Sequence, residues 1–312
     1  MKLFGLLISI LLISNLYAQS NCDCFERLSE LARIKSFEEK KDSALYIYKR
    51  ALSFLPDSAR TNYHDSQLAK YYGAAGHIDS AKHYLIKAIH DGYEKEFIGF
   101  YEEFNQVMEQ YSAEVDEAYF MPGKNFDWNY YNRYYELKGI DQFIRKQPAL
   151  KFIDRKQLYQ VVDSIVLMEA IELINLYGYP QQAKHGFNIW IELFFMHGSM
   201  YSEDVFNRIL QILNKANKNC LCLKETIALL KDRRLDWYDK KKQVAGTWNY
   251  PGEYNPIENL DEVDSIRFMY NMMNLYDDAR INSKELPPGY TPEPYPKGYF
   301  CEDKSPLDDL HK

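Results

Sequence analysis

Between Leu158 and Thr247 apolar residues return every three or four positions over three long runs, a spacing that restricts this part of the chain to helices. Leu158, Val161, Val162 and Ile165, continued by Leu167, Ala170, Ile171 and Ile174, predict a long apolar stripe. Gly178 and Pro180 end it, because glycine takes the left-handed cap and proline cannot extend a helix. Phe187 to Met196 is almost wholly apolar and predicts a central buried helix finishing at His197-Gly198. Phe206, Ile209, Leu210 and Leu213 mark the next helix, and Ile227, Leu230 and Trp237 the one after. No stretch alternates as a half-buried strand would, so the expected class is all-α. Several polar residues sit oddly on these helices: Asp163, His197, Asp232, Arg233 and the Gln243–Gly246–Thr247 turn.

Upstream, the sequence repeats itself. Ala44, Tyr48, Ala51 and Pro56 form one set, and Ala81, Leu85 and Ala88 reproduce its first three offsets 37 residues later. Leu68, Ala69, Tyr72 and Gly76 precede the second set at the spacing of a helix that ends in a turn. This pattern resembles the tetratricopeptide repeat, a helix-turn-helix unit of about 34 residues. The first copy fits only in its second helix, since Lys35 stands where an aromatic is usual. Two such units bury their apolar faces only against neighbours. Phe97, Phe100, Tyr101, Phe104, Val107, Met108 and Tyr111 therefore predict a capping helix. The breaker Met121 to Asp127 marks a boundary. Leu286 to Lys312 turns to Pro, Gly and Tyr, with five prolines between Pro287 and Pro296, and predicts an extended tail that buries no core. The expected organisation is a leader over 1–18, a tetratricopeptide-like region over 22–118, a helical domain over 128–286 and the tail over 287–312.

The leader has the parts of an export signal. Lys2 gives a positive start, Leu3 to Ile13 an apolar core too short to span a bilayer, and Leu16-Tyr17-Ala18 a cleavage end. An exported chain, periplasmic or extracellular, is expected, with no transmembrane segment in its mature form. Its cysteines are Cys22, Cys24, Cys220, Cys222 and Cys301, an odd set. Their two C-x-C pairs miss the C-x₂₋₄-C spacing of structural zinc. One or two disulfides with a thiol left over is the expectation, and no metal. A net charge of −7 argues against a nucleic-acid partner.

In the second half, Asp141-Gln142-x-x-Arg145 is followed by Asp163 and Gly178-Tyr179-Pro180. His197, Asp232-Arg233, Gln243-x-x-Gly246-Thr247 and Pro256-Ile257-Glu258 with Val263 and Arg267 complete the series. In order and spacing this resembles an uncharacterised bacterial family, domain of unknown function 6624, over about residues 137–286. Each motif is short, and the specificity lies in the series. The chain departs from the family's pattern at Ser199, where an acidic residue is usual, and at Trp248, where glutamine is. The resemblance implies no reaction.

Read as chemistry, His197 is a general base, a ligand or a helix cap. Asp141 and Arg145, four apart, are placed to pair on one helix face. Arg233 faces an apolar seam and needs a carboxylate, for which Asp163 or Asp141 is the candidate. No phosphate-cradling loop, zinc-protease motif or nucleophile elbow occurs, so no cofactor is expected. The leading expectation is a protein- or peptide-binding module built on helical repeats. The alternative is an envelope enzyme, a hydrolase, with His197, Asp232, Arg233 and Gln243 as its polar site.

Overall fold

A computed structural model describes residues 21–119, 127–146, 155–181, 185, 191–237, 242–247 and 256–301. The leader, Trp248 and most of the 121–127 breaker lie outside the described residues. Helices make up most of what is described, as the spacing of apolar residues predicts. They are α1 (21–37), α2 (Lys41–Leu52), α3 (Asn62–Ala74), α4 (Ile78–His90), α5 (Asn105–Ala118) and α6 (Trp128–Lys146). Then come α7 (Arg155–Tyr177), α8 (Glu192–Gly198), α9 (Glu203–Lys218), α10 (Lys224–Trp237), α11 (Val263–Met269) and α12 (Leu275–Ile281). Among the described residues no strand forms, and one isolated parallel bridge joins Gln243 to Ile257.

The chain divides into two compact units that cut across the segmentation read from composition. One joins Met1–Pro56 to Asn217–Lys312, and the other is Asp57–Ala216. The first repeat set (Ala44 to Pro56) thus groups with the C-terminal third, and the second with the segment that follows it.

In the discontinuous unit, α1 turns Phe25, Leu28, Leu31, Ala32 and Ile34 inward. Two disulfides anchor it, Cys22–Cys220 and Cys24–Cys301, with Cα atoms 5.3 and 5.6 Å apart. Cys222 keeps a buried thiol, so two bridges and a leftover cysteine are what forms. On α1 two charged side chains, Glu26 and Arg27, find hydrogen-bond partners. Glu26 accepts hydrogen bonds from Asn217 Nδ2 (3.1 Å), Asn271 Nδ2 (2.9 Å) and the Lys224 backbone N–H (3.3 Å). Arg27 Nε donates to Asn271 Oδ1 at 2.7 Å.

The tail does more than lie on the surface. Tyr299 is buried, with its hydroxyl donating to the Met272 carbonyl at 2.7 Å and its ring against Phe268. Tyr290 donates to Asp264 (2.7 Å) and Tyr295 to Asp277 (2.8 Å). Prolines exclude regular structure here, as expected. The correction comes from tyrosine, which buries a ring while its hydroxyl keeps a hydrogen bond, so a Pro/Tyr segment packs where a Pro/Ser one could not.

In the other unit, α3 and α4 pack as an antiparallel hairpin around Leu68, Ala69, Ala81, Leu85 and Ala88, all buried. Gly76 makes the turn with φ +78°, the left-handed region that favours glycine. Tyr72 stacks on Tyr84 with centroids 5.5 Å apart. Gly73 is needed for a different reason: a Cβ there would meet the Glu103 carbonyl oxygen at 2.3 Å. The predicted capping helix starts late. Residues 95–104 form two short 3₁₀ turns, Phe100 is 73% exposed, and only Phe104 and Val107 of the predicted stripe are fully buried. Gly99 and the run of bulky aromatics favour the tighter turns over a continuous helix.

The long helix α7 forms and ends as predicted, with Gly178 at φ +89° and its N–H on the Ile174 carbonyl at 2.8 Å. The second half of the expected stripe is buried at Leu167, Ala170 and Ile171, but the first half is rotated away from it. Asp163, Val166, Leu167, Ala170, Ile171 and Leu173 point inward, while Val161, Ile165 and Met168 are 56%, 54% and 53% exposed. A run with apolar residues on more than one face leaves its inward register ambiguous in sequence, and packing against α6 and α8 decides it.

Burial pushes the Glu26 carboxyl up to about 8, against the lowering effect of its hydrogen bond from Asn271. The unfolded chain releases that proton near 4.5, while the folded chain holds it until about 8. Stability therefore falls as pH rises across that window and levels off above it. The Glu26→Gln variant is expected to lose this slope whatever its absolute stability, as measured by urea titrations between those pH values.

Candidate functional site

Three helices bring five of the predicted polar residues to one place. Asp141, Gln142 and Arg145 come from the last turns of α6, Asp163 from α7, and His197 from the end of α8. Gly198 makes the approach possible, since a Cβ there would stand 2.4 Å from Leu167 Cδ2. With that close packing, the end of α8 lies against α7 one helical turn beyond Asp163.

The two aspartates are buried, and each uses its oxygens differently. Asp141 Oδ1 takes Arg145 Nη2 at 3.0 Å and faces His197 Nδ1 at 2.8 Å, while Oδ2 accepts from Gln142 Nε2 at 2.6 Å. Asp163 Oδ1 accepts from the same Arg145 Nη2, and Oδ2 from the Tyr201 hydroxyl at 2.8 Å. The guanidinium also lies 5.2 Å from the Tyr159 ring centroid. Burial pushes the Asp141 carboxyl up, but the His197 hydrogen bond and the His197 and Arg145 charges outweigh it and hold the group below its ordinary value. An ionised carboxylate only accepts, so His197 Nδ1 carries the hydrogen between them. Among the described residues His197 Nε2 has no hydrogen-bond partner.

The expected i,i+4 pair of Asp141 and Arg145 is thus present, but inside a larger network. The carboxylates considered as partners for Arg233 belong instead to Arg145, which sits nearer in sequence and on a packed neighbour helix. Tyr201 went unnoticed in the sequence. Its position four residues past His197 was the available signal.

The other predicted polar residues form a separate assembly in the discontinuous unit. Asp232, fully buried, accepts from the backbone N–H groups of Val244 (2.9 Å), Ala245 (3.1 Å) and Thr247 (2.9 Å), and from Thr247 Oγ1 (2.8 Å). Gly246 turns the chain there at φ +63°. Any Cβ at Gly246 would also meet Ile257 Cδ1 at 2.8 Å. Gln243 is buried and exchanges backbone bonds with Pro256 and Glu258. Arg267, 1% exposed, donates to the carbonyls of Ala245 (2.9 Å) and Met273 (2.8 Å) and pairs with Asp278 at 3.1 Å. Arg233 is half-buried in α10. His197 belongs to one unit and Asp232, Arg233 and Gln243 to the other. Asp232 holds a turn, with its acceptor sites filled, and Ser199 is buried beside the His197 helix end.

No protein-family profile, curated protein or solved structure matches the chain.

Replacing Asp232 with alanine strands three backbone donors in the core and is expected to cost on the order of 3 kcal/mol. A thermal midpoint lowered by roughly 10 °C, with faster amide exchange at 244–247 than elsewhere, is the predicted outcome. A midpoint within a degree or two of the parent would rule out the turn-holding role.

Proposed function

We propose that the chain is an exported helical module that binds a partner protein. The observation that carries this reading is the solvent-facing row Val161, Ile165 and Met168 on α7, at the i, i+4, i+7 spacing by which a helix presents one apolar face. Leu176 lies exposed on the same helix, and Ile140 and Phe143 are exposed on α6. Large apolar groups at helical spacing on a surface mark an interaction face more often than isolated exposed residues do. The partner of this chemistry is a protein segment that lays an amphipathic helix along α7. The α3–α4 hairpin, with its alanines at the helix contact, supports a tetratricopeptide-like organisation for the neighbouring helices. The apolar leader and the two disulfides support export to an oxidising compartment. No described helix is long and apolar enough to cross a membrane.

A photo-crosslinking residue at Ile165 in the native host is expected to capture one defined protein, and the same residue at exposed Glu136 is not. The Ile165→Lys/Met168→Lys double variant is expected to lose that complex while keeping its thermal midpoint. No product at position 165, or equal products at both positions, ends this reading.

A second reading, an envelope enzyme, is favoured by the His197–Asp141 geometry. A carboxylate that fixes Nδ1–H leaves Nε2 free to take a proton from a bound water. This site contains Asp141, Arg145, Asp163 and Tyr201 with His197, in place of Asp232, Arg233 and Gln243. In a screen of ester, phosphoester and peptide substrates, His197→Gln is expected to abolish any turnover found. Turnover that survives the substitution removes His197 from the chemistry.

A further inference from the structure

We propose that Asp141, Asp163 and His197 form a binding site for one zinc-class divalent cation, which the Arg145 guanidinium occupies as an internal counter-ion when no metal is bound. The three side chains offer one nitrogen and two carboxylate oxygens within 4.8 Å of one another. They come from three packed helices, so the donor set is held by the fold and not by a loop.

The orientation of the donors is the main argument. Each aspartate has one oxygen fixed by a neutral donor, Gln142 on Asp141 Oδ2 and Tyr201 on Asp163 Oδ2. Both remaining oxygens are Oδ1, and both converge on the same atom, Arg145 Nη2. His197 Nδ1 faces the same Asp141 oxygen. Metal-binding carboxylates are characteristically held in this way, with an outer partner that leaves one donor atom aimed at a common centre. A purely structural arginine–aspartate pair needs no such splitting of roles, because a fork-shaped guanidinium is best met by both oxygens of one carboxylate.

Charge gives a second argument. Two buried carboxylates face one full-time cation, which leaves an excess negative charge whenever His197 is neutral. A divalent ion would compensate both. Arg145 is the most exposed member of the group, and among the described residues its buried Nε has no hydrogen-bond partner. Its departure toward solvent breaks its two carboxylate contacts and strands no further hydrogen bond. Zn²⁺ would then take the places of Nη2 and of the Nδ1 hydrogen of His197, whose proton reappears on Nε2 so that the ligand stays a neutral imidazole. Tetrahedral zinc with ligands at about 2.0–2.1 Å needs donor atoms roughly 3.3 Å apart, so the widest pair must close by about 1.5 Å, within reach of side-chain rotation. Three protein ligands leave a fourth position for water. Mixed imidazole and carboxylate donors select zinc-class ions over magnesium or calcium, which prefer oxygen alone. The site stands independently of partner binding by α7.

The test is calorimetric titration of the purified, chelator-treated protein with ZnCl₂, and with MgCl₂ for comparison. One equivalent of Zn²⁺ is expected to bind, with Mg²⁺ silent. Tyr201→Phe, which frees an oxygen of Asp163, is expected to weaken zinc about tenfold. His197→Gln and Asp163→Asn should lose the one-equivalent binding, Arg145→Met should tighten it, and Cys222→Ser should leave it unchanged. A wild-type protein that takes up no zinc overturns the proposal. So does zinc binding that His197→Gln leaves intact or that Cys222→Ser removes. If the ligand variants do not fold, the visible spectrum of the Co²⁺-loaded wild type decides. Ligand-field bands without a thiolate charge-transfer band support the site, and octahedral aquo-cobalt bands overturn it.

Discussion

A buried aspartate that collects hydrogen bonds from a turn is the interaction on which most of this structure rests. Burying an ionised carboxylate costs several kcal/mol unless donors surround it. In this chain the donors are the backbone N–H groups of segments that no helix or sheet would otherwise satisfy. Asp232 gathers residues 244–247 in this way. Asp264 does the same for Leu275 and Glu293, adding the hydroxyl of Tyr290. Arg267 completes the arrangement from the other side by donating to the carbonyls of Ala245 and Met273. Acid and base together pin irregular chain to α10, α11 and α12, where apolar area alone would leave it loose.

The cluster at His197 uses the same chemistry with a different balance. Asp232 is filled by fixed backbone groups, whereas Asp141 and Asp163 are held by side chains that can rotate away. One arrangement can only support a turn. The other can exchange its cation, and that difference in donors separates scaffold from candidate site within one set of sequence motifs.

Helix identity and helix ends were legible in the sequence because they are local. The left-handed glycines at 76, 178 and 246 stand where the turns were read, and the apolar run before His197 is buried in its described part. The cysteine count allows one or two bridges and a spare thiol, but neither their number nor which pairs form, since pairing depends on a fold that spacing does not encode. Register was less legible. Val161 and Ile165 belong to the expected core stripe, yet α7 turns Asp163 inward, where Arg145 and Tyr201 donate to it. Grouping of the polar residues is not legible in the sequence. Asp232 and Arg233 are neighbours in sequence and look like one motif, whereas Asp141 meets His197, on another helix 56 residues away.

The bridges from α1 span 198 and 277 residues of chain. A polypeptide that crosses a membrane with its N-terminus leading presents Cys22 and Cys24 long before Cys220 or Cys301 emerges. During that interval the two early thiols have only each other, or foreign thiols, to react with. Closing such long loops is also a slow search, since the entropic cost rises with their length. For an exported chain, as proposed above, correct pairing would then rest on thiol–disulfide exchange, and Tyr295 and Tyr299, packed on Phe268, stand just ahead of Cys301.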